Sequence, residues 1–236
     1  PQAMIAGRLF GVGVGPGDPE LLTLRAVRVL QESPVIAYVS ARGRPSIARR
    51  IAERHLPSGR TEINLALPMQ PLPELAEAAY DEGASRIGAE LEQGRDVAVL
   101  CEGDPFMYGS FAQLFARLGE RYATEVVPGV TAFTAAAAAA RRPLVSRTQT
   151  MVILPATLPR DALASRLRSA DAAAILKLGR HLAKVREVIA ELGLLEHAIY
   201  VEHASGVREH VVRLVDLASE EAPYFSLVLL PGGRPW

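Results

Sequence analysis

The residues able to do chemistry in this chain gather in three short turns. They are Gly11-Val-Gly13-Val-Gly15-Pro16-Gly17-Asp18, Glu102-Gly103-Asp104-Pro105-Phe106-Met107-Tyr108-Gly109 and Val127-Pro128-Gly129-Val130-Thr131-Ala132. Each follows an apolar run, and glycine there lets backbone approach a ligand with no Cβ in the way. Thr131 offers a hydroxyl, while Met107 and Ala132 offer apolar surface of the kind that receives an aromatic ring. Asp104 reads in two ways, as a cap for a helix starting near 108 or as a carboxylate at a working site.

A strand, a glycine-rich turn and a helix also announce a dinucleotide site, but the spacing excludes one. Counted from Gly11, the third glycine of Gly-x-Gly-x-x-Gly falls on Pro16; counted from Gly13, it falls on Asp18. A phosphate-binding Walker loop is excluded too, since no Gly-Lys-Ser or Gly-Lys-Thr occurs and the two lysines, Lys177 and Lys184, are remote from the turn. Asp18 followed by Pro19 reads instead as a helix N-cap with proline at the first helical position. A carboxylate at that helix start repels an anionic ligand.

The 236 residues carry 26 basic and 26 acidic side chains, so net charge gives no argument for binding nucleic acid or an anionic membrane. With 49% hydrophobic and 22% charged residues the composition is that of a soluble globular protein. No apolar run reaches a membrane span, and Met4 follows a Pro-Gln-Ala stub without the pattern of a signal peptide, so a cytoplasmic protein is expected. Cys101 is the single cysteine, which excludes an internal disulfide and agrees with a reducing compartment. It reads as a small buried strand residue with no basic neighbour to activate it. His55, His181, His197, His203 and His210 show no paired metal spacing, and no metal is expected.

The elements that must position these turns alternate. Strands are expected at 8–14, 34–39, 61–66, 96–101, 124–127, 150–155, 172–178, 198–203 and 224–230. Helices are expected at 19–32, 45–56, 72–93, 108–119, 131–140, 160–169, 181–193 and 214–220. This rhythm is that of α/β proteins, two α/β lobes with mostly parallel central sheets, and the alternating segment 207–213 adds an antiparallel hairpin in the second part. The boundary is expected at Val127–Val130, giving an N-terminal lobe over 1–127 with the glycine-rich turns and a C-terminal lobe over 131–236. Loops at the carboxyl ends of parallel strands then face a ligand cleft between the lobes.

In this order the three turns resemble those of the tetrapyrrole methylases, which use S-adenosylmethionine and release S-adenosylhomocysteine. The resemblance runs from Arg8 to Leu230. It implies that Pro16, Glu102, Gly103, Asp104, Met107, Thr131, Ala132 and Leu178 contact the cofactor, together with Ala204, which stands where relatives often have glycine. It further implies a tetrapyrrole substrate, a homodimer and a second lobe that completes the cofactor site. In such a reaction the methyl is already activated, so the chain must align carbon, methyl and sulfur, exclude water and receive a proton. Asp104 is the side chain expected at that centre, with Tyr108 second.

Further segments look closest to the branch that methylates precorrin-2, metal-free or as its cobalt complex, at C(20) on the route to cobalamin. They are Glu62 to Met69, Tyr80-Asp81, Leu100 to Phe111, Leu154 to Thr157, Ile175 to Arg180 and Tyr224-Phe225-Ser226. A polycarboxylate substrate makes Arg180, Arg147 and Lys177 the expected substrate contacts, with the Arg42 to Arg50 segment beside them; Arg49 and Arg50 read better as a solvated helix face. Other readings are a sibling tetrapyrrole methylase, diphthine-synthase-like methylation of a protein, and a nonenzymatic ligand binder.

Overall fold

The computed structural model describes residues 5–68 and 73–233; Met4 and Met69, both used in the sequence reading, lie outside them. The chain divides into a unit ending at Thr131 and a unit beginning at Ala132. Among the described residues no helix is long and apolar enough to cross a membrane.

The first unit is built on β1 (Leu9–Gly13), β2 (Val35–Ala41), β3 (Thr61–Leu67), β4 (Val97–Cys101) and β5 (Thr124–Val127). They lie in the order β3-β2-β4-β1-β5, and every pairing is parallel. Parallel strands need both faces covered, which is why β1 and β4 read as unbroken apolar runs and are buried throughout. Val97, Val99 and Cys101 meet α3 (Pro73–Glu92) and α4 (Phe111–Leu118) on one face; Ala98 and Leu100 meet α1 (Leu24–Glu32) and α2 (Ile47–Ala52) on the other.

The single helix expected over 19–32 is two elements. Asp18 caps only a 3-10 turn, Pro19–Leu21, accepting from the Glu20 N–H at 2.8 Å. Leu22 is then extended (φ −65°, ψ 136°), and Thr23 accepts from the Ala26 N–H at 3.0 Å to start α1. The threonine hydroxyl supplies a second cap inside the apolar period, and a period alone carries no sign of such a break.

Neighbouring strands β1 and β4 send the chain to opposite faces, β1 to α1 and β4 to α4, the arrangement that opens a ligand crevice at strand ends in parallel sheets. Here the two turns are laced together. The Gly103 N–H donates to Gly15 O at 2.8 Å, the Gly15 N–H to Gly103 O at 3.3 Å, and the Val14 N–H to Cys101 O at 2.9 Å. The turn leaving β5 joins them. A Cβ on Gly129 would stand 2.0 Å from Gly103 O, and one on Gly13 would stand 2.6 Å from Gly129 N.

The second unit contains β6 (Met151–Pro155), β7 (Ala172–Leu176), β8 (Ile199–Glu202), β9 (His210–Arg213) and β10 (Ser226–Leu230), in the order β6-β7-β10-β8-β9. Only β6 and β7 pair in parallel; β10 runs antiparallel to both β7 and β8, and β8 antiparallel to β9. This sheet is therefore mixed where mostly parallel pairing was expected; the expected 207–213 strand is β9, but its hairpin partner is β8 rather than the 224–230 strand. The reversal comes between β8 and β9, which pair directly as an antiparallel hairpin. β10 then runs the same way as β9 on the other side of β8, and the 214–225 connection, where the expected helix is one 3-10 turn, Leu214–Asp216, carries the chain across β8. The helices α6 (Arg160–Arg168) and α7 (Leu182–Glu191) cover one face with Leu163, Leu167, Val185, Val188 and Ile189, while α5 (Ala132–Ala140) packs on β8 and β10 through Ala135 and Ala136.

Gly129→Ala is expected to destabilise by about 2–4 kcal/mol, because the new methyl meets immovable backbone. Gly43→Ala is the control: its φ is +79° with open space around it, so only the left-handed conformation is strained, at a cost of about 1–2 kcal/mol. Urea unfolding of both variants measures the difference, and equal losses would contradict the close packing of the three turns.

Candidate active site

In the first unit the residues singled out in the sequence lie on the segments leaving β1, β4 and β5, all at the carboxyl end of one parallel sheet. Pro16 follows the Gly15–Gly103 bridge. Gly103 is buried with φ +63°, a conformation that suits glycine. Thr131 closes this unit and Ala132 opens α5 of the next.

Asp104 ties two of the turns. Its Oδ1 accepts from the Phe106 N–H at 2.9 Å and its Oδ2 from the Gly129 N–H at 3.0 Å. It does not cap α4, whose N-cap is Ser110 with no side-chain cap bond; the carboxylate bonds instead to the N–H of the β5 turn. A carboxylate accepts at about four lone-pair sites, so Asp104 keeps acceptor capacity beyond these two bonds.

Glu102 is oriented away from the turns. Strand alternation carries its side chain to the face of Ala98 and Leu100, where Oε1 accepts from the Ala48 N–H in the first turn of α2 at 3.1 Å. Burial there pushes its carboxyl above the usual range. Its backbone, not its side chain, is what this position offers a ligand. Met107 (36% exposed), Tyr108 (50%) and Phe106 (52%) stand out on the same turn, with Phe106 packed edge-on to Phe115 at 5.3 Å between ring centres. Burial raises the Cys101 thiol to about 12, so it is an inert packing residue. Arg49 is spent on an ion pair with Glu62 at 3.0 Å, beside the Tyr38 hydroxyl.

In the second unit Lys177, Leu178 and Arg180 follow the carboxyl end of β7, and Ala204 follows that of β8. Both strands point the same way, since each runs antiparallel to β10. Leu178 is fully buried in the core and Ala204 nearly so, which leaves their backbones as the groups available to a ligand. Arg180 and Lys177 are exposed. Arg147 is not with them. It precedes β6, within a turn closed by the Gln149 N–H on Ser146 O, and because β6 and β7 are parallel it lies at the opposite end of the sheet.

Sequence reasoning missed Lys184 as a structural hook. Its Nζ donates to Ala156 O and Leu158 O, each at 2.6 Å, and so fixes the turn leaving β6 beside the Lys177–Arg180 turn. Burial lowers its pKa, and burial with the charges of Lys184 and Arg180 lowers that of His181. A lysine one helical turn into α7 carries no signal of this in sequence. Of the six non-glycine residues with positive φ among those described, Tyr108, Lys177, His203 and Ser205 lie on the segments leaving β4, β7 and β8. Strained backbone collects at working sites. Among the described residues no group of three or more His, Cys, Asp or Glu is placed to hold a metal ion.

With this geometry in hand, the sequence matches the family model of the Tetrapyrrole (Corrin/Porphyrin) Methylases over residues 8–218. The chain belongs to that family. Among curated tetrapyrrole-methylase relatives, the Precorrin-2 C(20)-methyltransferase of Sinorhizobium sp is 41% identical over 97% of this chain and 96% of the relative. The cobalamin biosynthesis protein CobIJ of Mycobacterium tuberculosis is 45% identical over 97% of this chain and 46% of its own length, so the chain spans about half of that relative. Among solved structures, a cobalt precorrin-4 methyltransferase, CbiF, superposes with a TM-score of 0.74 at 22% identity, covering 95% of this chain and 94% of that one. A uroporphyrin-III C-methyltransferase from Thermus thermophilus complexed with S-adenosylhomocysteine gives 0.67 at 26% identity, covering 94% and 97%.

For this tetrapyrrole methylase, Asp104→Asn leaves one acceptor oxygen for two backbone donors and turns an amide N–H against one of them. The expected stability loss is about 1.5–3 kcal/mol, the range for bonds to a charged group. Chemical denaturation reads it, and a loss near zero would show that Asp104 does not hold the turns.

Proposed function

We propose that this chain is an S-adenosylmethionine-dependent methyltransferase acting on C(20) of precorrin-2, or of its cobalt complex, in cobalamin biosynthesis. The observation that carries the reading is the nearly full-length similarity to the Sinorhizobium enzyme, which covers both sets of strand-end turns. A Salmonella typhimurium relative named for the cobalt complex, 31% identical over 95% of this chain, keeps both metal states of the substrate within the proposal.

The residues fit the cofactor. Gly103 presents backbone with no side chain, Met107 is an exposed apolar group for a ring, and Thr131 adds a hydroxyl. Pro16, Ala132, Leu178 and Ala204 complete the proposed contacts, the last two through their backbones, as does Glu102. When bound, S-adenosylmethionine supplies a methyl already activated on a sulfonium, which leaves the protein to orient the carbon, exclude water and receive a proton. Asp104 is the proposed group at that centre, held in place by the Phe106 and Gly129 N–H groups, with Tyr108 beside it. Lys177 and Arg180 receive substrate carboxylates. A homodimer in the cytoplasm completes the proposal, supported by the family resemblance and the single reduced-type cysteine.

Incubation with precorrin-2 and carbon-13-methyl-labelled cofactor is expected to add one methyl, at C(20) by NMR, and calorimetry to show micromolar binding of S-adenosylhomocysteine. A methyl on another carbon moves the chain to a sibling activity; no transfer and no binding defeats the reading. Asp104→Asn is expected to lower turnover by roughly 10²-fold while still binding S-adenosylhomocysteine.

The opposite-end placement of Arg147 generates a paired test. Arg180→Ala is expected to raise the substrate KM several-fold, a loss of about 1.5–3 kcal/mol for one charge-assisted contact, with cofactor affinity unchanged. Arg147→Ala is expected to match the wild type, and steady-state kinetics on the two variants checks the contrast.

A further inference from the structure

The segment Pro223-Tyr224-Phe225 leads into β10 and has no part in the activity described so far. Tyr224 is 84% exposed, an unusual state for a large aromatic ring on a surface otherwise rich in charge. It is held in that state. Its ring stands edge-on to Phe225 at 4.8 Å and 85°, and Phe225 packs in turn against the His203 ring at 6.2 Å. The backbone around it is fixed as well: the His203 N–H donates to Phe225 O at 2.8 Å, and the Ser226 hydroxyl to Pro223 O at 2.6 Å.

Its location is set by the sheet. β10 begins opposite Glu202, the last residue of β8, so the 223–225 segment lies at the end of the sheet where β7 and β8 finish. The Ala222 N–H donates to Gly179 O at 3.1 Å, joining this segment directly to the turn that carries Lys177 and Arg180. Arg180 makes no ion pair among the described residues and is exposed. A rigid exposed aromatic ring tied to a turn with two exposed cations matches a ligand that is flat and apolar over its face and anionic at its rim.

We propose that Tyr224, backed by Phe225, is a substrate-positioning surface on which the face of the tetrapyrrole macrocycle rests while Lys177 and Arg180 take carboxylates at its edge. The inference rests on the proposed function and names a specificity determinant within it. The ring itself makes the contact, so the phenol oxygen is dispensable.

The test uses the full chain with precorrin-2 prepared anaerobically. Tyr224→Ala is expected to raise both KM and the directly measured Kd for precorrin-2 by roughly five- to fifty-fold, the range for an aromatic face lost from a contact. Tyr224→Phe is expected to stay within about twofold of the wild type, as is the affinity of both variants for S-adenosylhomocysteine. Light scattering is expected to give the same oligomeric mass for all three proteins. A Tyr224→Ala variant with wild-type KM and Kd overturns the inference while leaving the methyltransferase reading intact. A change of mass in Tyr224→Ala overturns it in favour of a subunit contact, and a Tyr224→Phe defect equal to that of Tyr224→Ala overturns the stacking role. A wild-type protein that binds no precorrin-2 defeats the functional reading itself, and this inference with it.

Discussion

Three backbones meet at the ends of β4, β1 and β5 with no room for a single methyl among them. Gly13, Gly103 and Gly129 approach one another so closely that a Cβ on any one of the outer pair would press into carbonyl or amide atoms of its neighbours. This contact converts three separate strand-end turns into one rigid surface. The Gly15–Gly103 hydrogen bonds and the bond from the Gly129 N–H to Asp104 depend on it, since each crosses between turns held at this close approach. It also sorts the neighbouring side chains. Strand alternation turns Glu102 towards α2, and the left-handed backbone at Gly103 (φ +63°) breaks that alternation and leaves Asp104 on the turn, so carboxylates two residues apart have unrelated environments. Burial raises the pKa of one, while backbone donors hold the other.

The second unit reaches a comparable end by a different route. Its sheet is mixed, yet β6, β7 and β8 all finish at the end where β10 begins, which collects the Lys177–Arg180 turn, Ala204 and the Tyr224 segment in one place. Left-handed backbone at Lys177, His203 and Ser205 marks the same end. Fixing it requires anchors, and these are fully buried Leu178 beneath the turn and Lys184 bonded to two carbonyls of the neighbouring one. A partly buried ammonium with no carboxylate partner among the described residues carries a desolvation cost, and two bonds to carbonyl oxygens offset it.

Arginine-rich composition gives no guide to which cations are functional. Arg8, Arg25, Arg49, Arg117, Arg160 and Arg213 are engaged with carboxylates on exposed surfaces, where such pairs contribute little to stability. Arg180 and Arg147 are both exposed, and only their positions on the sheet separate them. Arg180 shares its end of the sheet with Lys177, Ala204 and the Tyr224 segment, whereas Arg147 stands at the other end.

The sequence by itself determined the strands, the α/β class, the family and the importance of the three turns, because apolar period and glycine spacing are local properties written into consecutive residues. It placed Gly103, Asp104, Met107 and Thr131 on strand-end turns without error of position. What it did not determine was everything that depends on pairing partners distant in the chain. The direction of β10 followed from the reversal at the β8–β9 hairpin, after which the chain crosses β8 without turning back; the break at Thr23 followed from a cap competing inside a regular period. The partners of Asp104, the turning of Glu102 into the helix layer, the separation of Arg147 from Arg180 and the hook made by Lys184 were decided only when the sheets assembled. Each joins residues tens of positions apart, and such contacts are set by strand order and face, which no local pattern encodes.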